Sequence, residues 1–171
     1  MRIAIVYATM GGTTKECASL LRNELNNHDV TLLEIGRDSI DLDEYDFIAV
    51  GFPIRMGNPI KSARKFLAEN SETLSKKRVG YFLLCGFVDC FDEYAESAIS
   101  KELREGAVAV SCFGGSLDPG RFKGFDRLIV KAVRSDILGG GDNADQRKDM
   151  SLPTIMEPNI VQFADSIKNI G

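Results

Sequence analysis

Five short apolar, β-branched runs recur along the chain, all but the second followed by a segment with helical spacing, and this alternation is the strongest constraint on the fold. Arg2–Ala8 (RIAIVYA), Val30–Ile35, Phe47–Phe52 (FIAVGF), Val79–Cys85 and Ala107–Phe113 read as strands. The first and third are apolar almost throughout, the pattern of strands buried on both faces. Helices are predicted over Thr14–Asn26, Ile60–Asn70, Phe91–Glu105 and Pro158–Ile170. In the first, Cys17, Leu20, Leu21 and Leu25 take one face while Lys15, Glu16, Arg22 and Glu24 take the other. For the second, Pro59 is placed at the first helical position with Asn58 as its cap. Asp41–Asp46 is an acidic connector. Such a βα alternation predicts an α/β protein with a parallel sheet covered on both faces. Five strands fit the order 2-1-3-4-5, in which ligands bind at the carboxyl ends beside the switch point between strands 1 and 3.

The 171 residues fit one domain, 1–171, without an internal repeat or a Pro- or Ser-rich linker. A net charge of −4 gives no sign of a nucleic-acid surface. No apolar run approaches the roughly 20 residues of a membrane span, and the start reads as a strand instead of a signal peptide, so the expectation is a cytoplasmic protein. The four cysteines (Cys17, Cys85, Cys90, Cys112) form no CxxC pair and have no neighbouring His. They are expected to be reduced thiols, with no metal site, although Cys85 and Cys90 flank a loop of interest. His28, the only histidine, lies in the polar turn Asn26–Asp29, which excludes a His dyad.

Three loops, after strands 1, 3 and 4, converge at the expected ligand site. The first is Thr9-Met10-Gly11-Gly12-Thr13-Thr14-Lys15. Its glycines allow a tight turn that aims backbone N–H groups at an anion, and the helix behind it adds its positive end. Thr9, Thr13 and Thr14 supply hydroxyls for a phosphate. Neither GxGxxG nor GK[ST] occurs, which argues against a dinucleotide or ATP loop. A Thr-capped helix after a glycine turn is the plainer alternative. The second loop is Gly51-Phe52-Pro53-Ile54-Arg55-Met56-Gly57, and the third runs through Cys85-Gly86-Phe87.

Thr9-x-x-Gly12-x-Thr14 resembles the phosphate loop of flavodoxins, [ST]-x-[ST]-G-x-T, with Gly11 where that pattern has a hydroxyl residue. The resemblance implies a flavodoxin-like three-layer sandwich and FMN as cofactor. Gly-x-x-Ile54-Arg55-x-Gly57 resembles the menaquinone-dependent protoporphyrinogen oxidases of this family. So do Phe125-Asp126-Arg127, Gly139–Asp142 and Gln146–Asp149, whereas Phe87–Glu105 matches loosely. It implies an FMN-dependent oxidoreductase with a small-molecule or quinone redox partner. A flavodoxin-type electron carrier is the alternative, with acidic Asp89, Asp92, Glu93 and Glu96 in its favour and the modest net charge against it. A flavodoxin-like scaffold that has lost its cofactor is a further alternative, to which only Gly11 points.

An isoalloxazine ring needs apolar side chains across its faces. Ile54, Met56 and Phe87 are the candidates, since the chain has no Trp. Backbone groups around Arg55, Gly57, Cys85 and Gly86 would meet the ring edge, and Arg55 could place a positive charge near reduced flavin. Pro53 completes the second loop. No acid/base residue stands out as catalytic.

Residues 118–149 have their own character. Between Arg121 and Arg134 five basic residues (Arg121, Lys123, Arg127, Lys131, Arg134) face one acid, Asp126. Phe122, Phe125, Leu128, Ile129, Ala132, Val133 and Ile137 recur at helical spacing, so an inserted basic amphipathic helix is predicted over 121–137, with Gly124 weakening its start. Two readings stay open: peripheral contact with an anionic membrane at its inner face, or packing of the apolar side on the domain with solvated charges. Gly139–Gly141 ends this helix and predicts a mobile loop near the site.

Overall fold

A computed structural model describes residues 1–137 and 153–170. The expected Gly139–Gly141 loop and the Gln146–Asp149 run lie outside the described residues.

The parallel strands are β1 (Arg2–Tyr7), β2 (Asp29–Glu34), β3 (Phe47–Arg55), β5 (Arg78–Leu84) and β6 (Ala109–Cys112), in the order β2-β1-β3-β5-β6. This is the expected 2-1-3-4-5 order, with one addition: a two-residue strand, β4 (Asn58–Pro59), runs antiparallel to the end of β3. The fold is an α/β three-layer sandwich of the flavodoxin-like class. Each strand alternates between two cores. Ala4, Val6 and Ala8 face one side of the sheet, Ile3, Ile5 and Tyr7 the other. A period of two buried on both faces is what a helix-covered parallel sheet requires.

Helices α1 (Thr13–Glu24) and α7 (Glu157–Lys168) cover one face, through Cys17, Ala18 and Leu21 and through Ile160, Phe163 and Ile167. Helices α2 (Lys61–Glu69), α3 (Ser71–Lys76) and α5 (Lys101–Glu105) cover the other, through Phe66, Leu67, Leu74 and Leu103. On the α1/α7 side Phe82 stacks on Phe113 at 4.6 Å, and Phe163 meets both edge-on. Gly51 is required there, because a Cβ would lie 1.9 Å from the Phe82 ring.

The structure corrects three local expectations. Pro59 does not open the second helix. It sits in β4, where a strand edge tolerates the missing N–H, and α2 begins at Lys61 after Ile60. The helix expected over Phe91–Glu105 is two, α4 (Phe91–Ala98) and α5. Between them Ile99 turns extended to reach the core, and the Ser100 hydroxyl accepts a hydrogen bond from Leu103 N–H at 3.4 Å. Helix α3 was not expected. It restarts the chain after Asn70, whose side chain donates to the Phe66 carbonyl at 2.8 Å and closes α2.

The inserted helix, α6, spans Gly124–Ile137 and follows a 3₁₀ turn at Pro119–Arg121. Beyond the undescribed stretch the chain returns to the end of β6, where Gly114 and Ile155 form an antiparallel bridge and Gly115 N–H donates to Thr154. No helix of the described residues is long and apolar enough to cross a membrane.

Candidate functional site

A cavity of about 260 Å³ opens at the carboxyl ends of β1, β3 and β5, the position that the strand order predicts. All of the expected site residues line it except Gly12: Thr9, Met10, Gly11, Thr13 and Thr14, then Pro53, Ile54, Arg55, Met56 and Gly57, then Cys85, Gly86 and Phe87. Gly12 instead turns the chain into α1, with a φ of 83°.

The first loop is built around an open helix end. Gly12 is the N-cap of α1 and has no side chain with which to cap it. Gly12 N–H donates to Thr9 Oγ1 at 3.0 Å, so this amide serves the loop and not a ligand. Thr13 and Thr14 are the buried polar side chains of the described residues, and neither hydroxyl has a hydrogen-bond partner among them. An uncapped helix N-terminus flanked by two unpaired hydroxyls is an anion cradle.

The second loop is a two-residue hairpin, a form not anticipated from sequence. Arg55 pairs with Asn58, and Met56 and Gly57 at its tip both have positive φ, 49° and 77°. Such turns favour Asn-Gly, so Met56 is held in a costly conformation, and its side chain is 81% exposed. Ile54 is half-buried on the cavity wall. Phe87, 39% exposed, lines the same cavity from the third loop. The cavity surface is mostly apolar.

Arg55 is partly exposed but not free. Its Nη2 donates to Asp126 Oδ1 in the first turn of α6, and the pair ties the hairpin to the inserted helix. Helix α6 thereby stands over the cavity, which Phe122, Ile129, Val130 and Val133 line from that side. Of the two readings of this segment, inward packing accounts for those residues. Phe125 and Leu128 point elsewhere and are 74% and 61% exposed. Sequence reasoning placed none of α6 in the site. Tyr94, Leu84 and Gly115–Leu117 also line the cavity unanticipated. Gly115 follows from contact, since a Cβ there would lie 3.2 Å from the Cys85 carbonyl oxygen.

Two thiols meet at the cavity floor. Cys85 and Cys112 are buried, and their sulfurs are 3.1 Å apart. Gly114 N–H also donates to Cys112 Sγ, at 3.4 Å. The contact between the two sulfurs holds the Cys112 thiol below its ordinary value and, with burial, pushes Cys85 up. Cys17, without such a partner, is pushed up to about 12 by burial. No group of three or more potential metal ligands occurs among the described residues.

A family profile described as flavodoxin domain matches residues 4–144. Among solved structures, a short-chain flavodoxin associated with a PDU bacterial microcompartment is similar at a TM-score of 0.58 and 15% identity, over 100% of this chain and 99% of that one. A flavodoxin of Fusobacterium nucleatum bound to flavin mononucleotide is similar at 0.53 and 14%, over 99% and 98%. A variant of a flavo di-iron protein of Thermotoga maritima is similar at 0.57 and 12%, over 99% of this chain and 36% of its own. No curated protein sequence matches the chain.

Proposed function

This chain belongs to the flavodoxin-domain family, and from that premise we propose that it holds FMN in the cavity and works as an oxidoreductase. The residues fit the cofactor. The open N-terminus of α1 with the Thr13 and Thr14 hydroxyls suits a phosphate, and the mostly apolar cavity lined by Ile54 and Phe87 suits a flat apolar ring. Arg55–Gly57 and Cys85–Gly86 line the cavity, and their backbone groups would meet the ring edge. When bound, the flavin supplies the capacity to accept and return one or two electrons.

The substrate class rests on one observation, the helix α6 tied over the cavity by Arg55 and Asp126. With Phe122, Ile129, Val130 and Val133 lining the cavity from that side, the site favours a small apolar molecule over a protein partner's surface. It favours electrons arriving from a reduced small molecule and leaving to a quinone, as the resemblance to menaquinone-dependent protoporphyrinogen oxidases implies. The FMN-loaded protein is expected to show flavin absorption and to turn over a soluble menaquinone analogue with protoporphyrinogen as donor. Flavin binding without turnover would sink the enzyme reading and leave the cofactor reading standing.

The second reading is a flavodoxin-type electron carrier. Exposed Asp89, Asp92 and Glu93 beside Phe87 favour it, because an acidic rim near a redox site recruits basic partners. Salt-sensitive electron transfer to a redox protein, with no quinone turnover, would select this reading.

A further inference from the structure

We propose that Cys85 and Cys112 are a second two-electron redox centre, a dithiol that closes to a disulfide at the cavity floor and exchanges its electrons with the cavity's occupant. The inference rests on the FMN reading only for the identity of that occupant.

The two residues are 27 apart in sequence and are brought together by the β5–β6 register, in which Leu83 lies opposite Cys112. Cys85 N–H donates to the Gly114 carbonyl at 2.9 Å, and Gly114 N–H turns back to Cys112 Sγ. The sulfurs at 3.1 Å need to approach by only about 1 Å more to bond. Cys85 lies just past the end of β5.

The two sulfurs divide the work by position. Cys85 lines the cavity, so a two-electron acceptor seated there has access to it. Cys112 lies behind, 3.1 Å from the Cys85 sulfur and with the Gly114 N–H directed at its own sulfur, a hydrogen bond that favours the thiolate. In the step, two S–H bonds break, one S–S bond forms, and two electrons and two protons leave. They pass to an oxidised acceptor of the isoalloxazine or quinone class in the cavity, or to a small disulfide or diazene in the test tube. Cys17 and Cys90 lie outside this contact and supply internal controls.

The full chain, first as apoprotein, is treated with diamide, quenched with iodoacetamide under denaturing conditions and mapped by mass spectrometry. A species lighter by two hydrogens is expected, with the Cys85 and Cys112 peptides joined and Cys17 and Cys90 alkylated. Oxidised protein is then loaded with FMN and titrated anaerobically with dithionite. About four electron equivalents per chain are expected, against about two in Cys85→Ser or Cys112→Ala. Four alkylated cysteines after diamide, or a bridge between any other pair, overturn the proposal. So does a bridge that the titration leaves intact. The mapping needs no variant and no flavin, so it decides the pair even if FMN is not retained, and a failed cofactor reading is seen separately.

Discussion

A Cβ placed on Gly11 would stand 2.9 Å from the Phe122 ring and 3.3 Å from the Arg121 carbonyl oxygen. Gly11 is the position at which the first loop departs from the flavodoxin phosphate pattern. The contact gives the departure a physical cause. The space for a hydroxyl-bearing side chain is filled by the segment that leads into α6, so the missing side chain and the inserted helix are one feature.

That coupling is measurable. Gly11→Ser must push the Phe122 ring aside, and overpacking of this kind costs about 1–3 kcal/mol. In a Phe122→Ala background the serine has room, and the cost should fall by more than half. The double-mutant cycle, read from urea denaturation, is expected to give a clear interaction energy. Additive effects of the two substitutions would mean that the ring and the loop do not compete for space.

The Arg55–Asp126 pair should matter more to ligand release than to stability. Its side chains are 38% and 32% exposed, so solvent screens much of the attraction. Asp126→Asn is therefore expected to lower stability by less than about 1 kcal/mol. If the pair holds α6 over the cavity, bound FMN should leave several-fold faster in the variant. Raising salt should speed release from the wild type but not from Asp126→Asn. Flavin fluorescence on release reads both, and equal salt dependence in the two proteins would reject the latch.

Met56 carries backbone strain without burial in return. At φ 49° and 81% exposure, its side chain gains little for the cost of a left-handed conformation. Met56→Asn gives the Asn-Gly sequence that this turn prefers and should stabilise the protein by about 1 kcal/mol. For a chain of this size the melting temperature should rise by about 2–4 °C. A fall would show that the methionine side chain packs more than its exposure suggests. Strain retained at a cavity rim is expected where function opposes stability, so FMN affinity should be compared in the same variant.

The sheet was legible because its two faces are both buried. Ile3, Ile5 and Tyr7 alternate with Ala4 and Val6, and the short length, β-branched content and glycine turn that follows mark this apolar run as an interior strand. The loops were legible because the strand order sends their ends to one place. What stayed hidden depends on tertiary contacts. Met56 at positive φ breaks the local rule for hairpin tips, and Pro59 carries a helix-start signal that pairing with Ile54 overrides. Ser100 did carry a capping signal that would have divided the helix over Phe91–Glu105. The Cys85–Cys112 contact needs the register of β5 against β6, and periodicity contains no register. Helical spacing grouped Phe125 and Leu128 with Phe122, Ile129 and Val133, although the two sets face different ways.

Cys17 makes the protein sensitive to alkali. Burial raises its thiol to about 12 in the folded chain, above its ordinary value of 9.0. The folded state thus keeps a proton that the unfolded state gives up. This contribution is fully present below pH 9.0 and is lost as pH rises towards about 12. The loss is at most about 1.4 kcal/mol per pH unit in that window. Cys17→Ala should be less stable than wild type at neutral pH, because it empties buried volume, but should decline less between pH 9 and about 10.5. Parallel declines in urea midpoint would assign the alkaline sensitivity to other groups, buried Tyr81 among them, whose hydroxyl has no partner and whose pKa burial also raises.

The expected peripheral contact of α6 with an anionic membrane would fall on its outward face. Phe125 and Leu128 project into solvent one helical turn apart, and Lys123, Arg127 and Lys131 are exposed around them. Arg121 is held by Glu16 at 2.7 Å, and Arg134 donates to the Leu117 carbonyl, so those two cations belong to the fold. Exposed apolar side chains ringed by cations match a negatively charged bilayer, which also dissolves the quinones proposed as acceptors. The protein should co-sediment with vesicles rich in phosphatidylglycerol at low salt and be released as salt rises. Phe125→Ser with Leu128→Ser should weaken binding about thirtyfold, since each removes an apolar contact worth about 1 kcal/mol at the interface. The same variant should keep its stability, because neither side chain is buried in the fold. Absence of co-sedimentation at low salt, or equal binding to neutral vesicles, would remove the lipid surface as partner and leave the exposed pair without one.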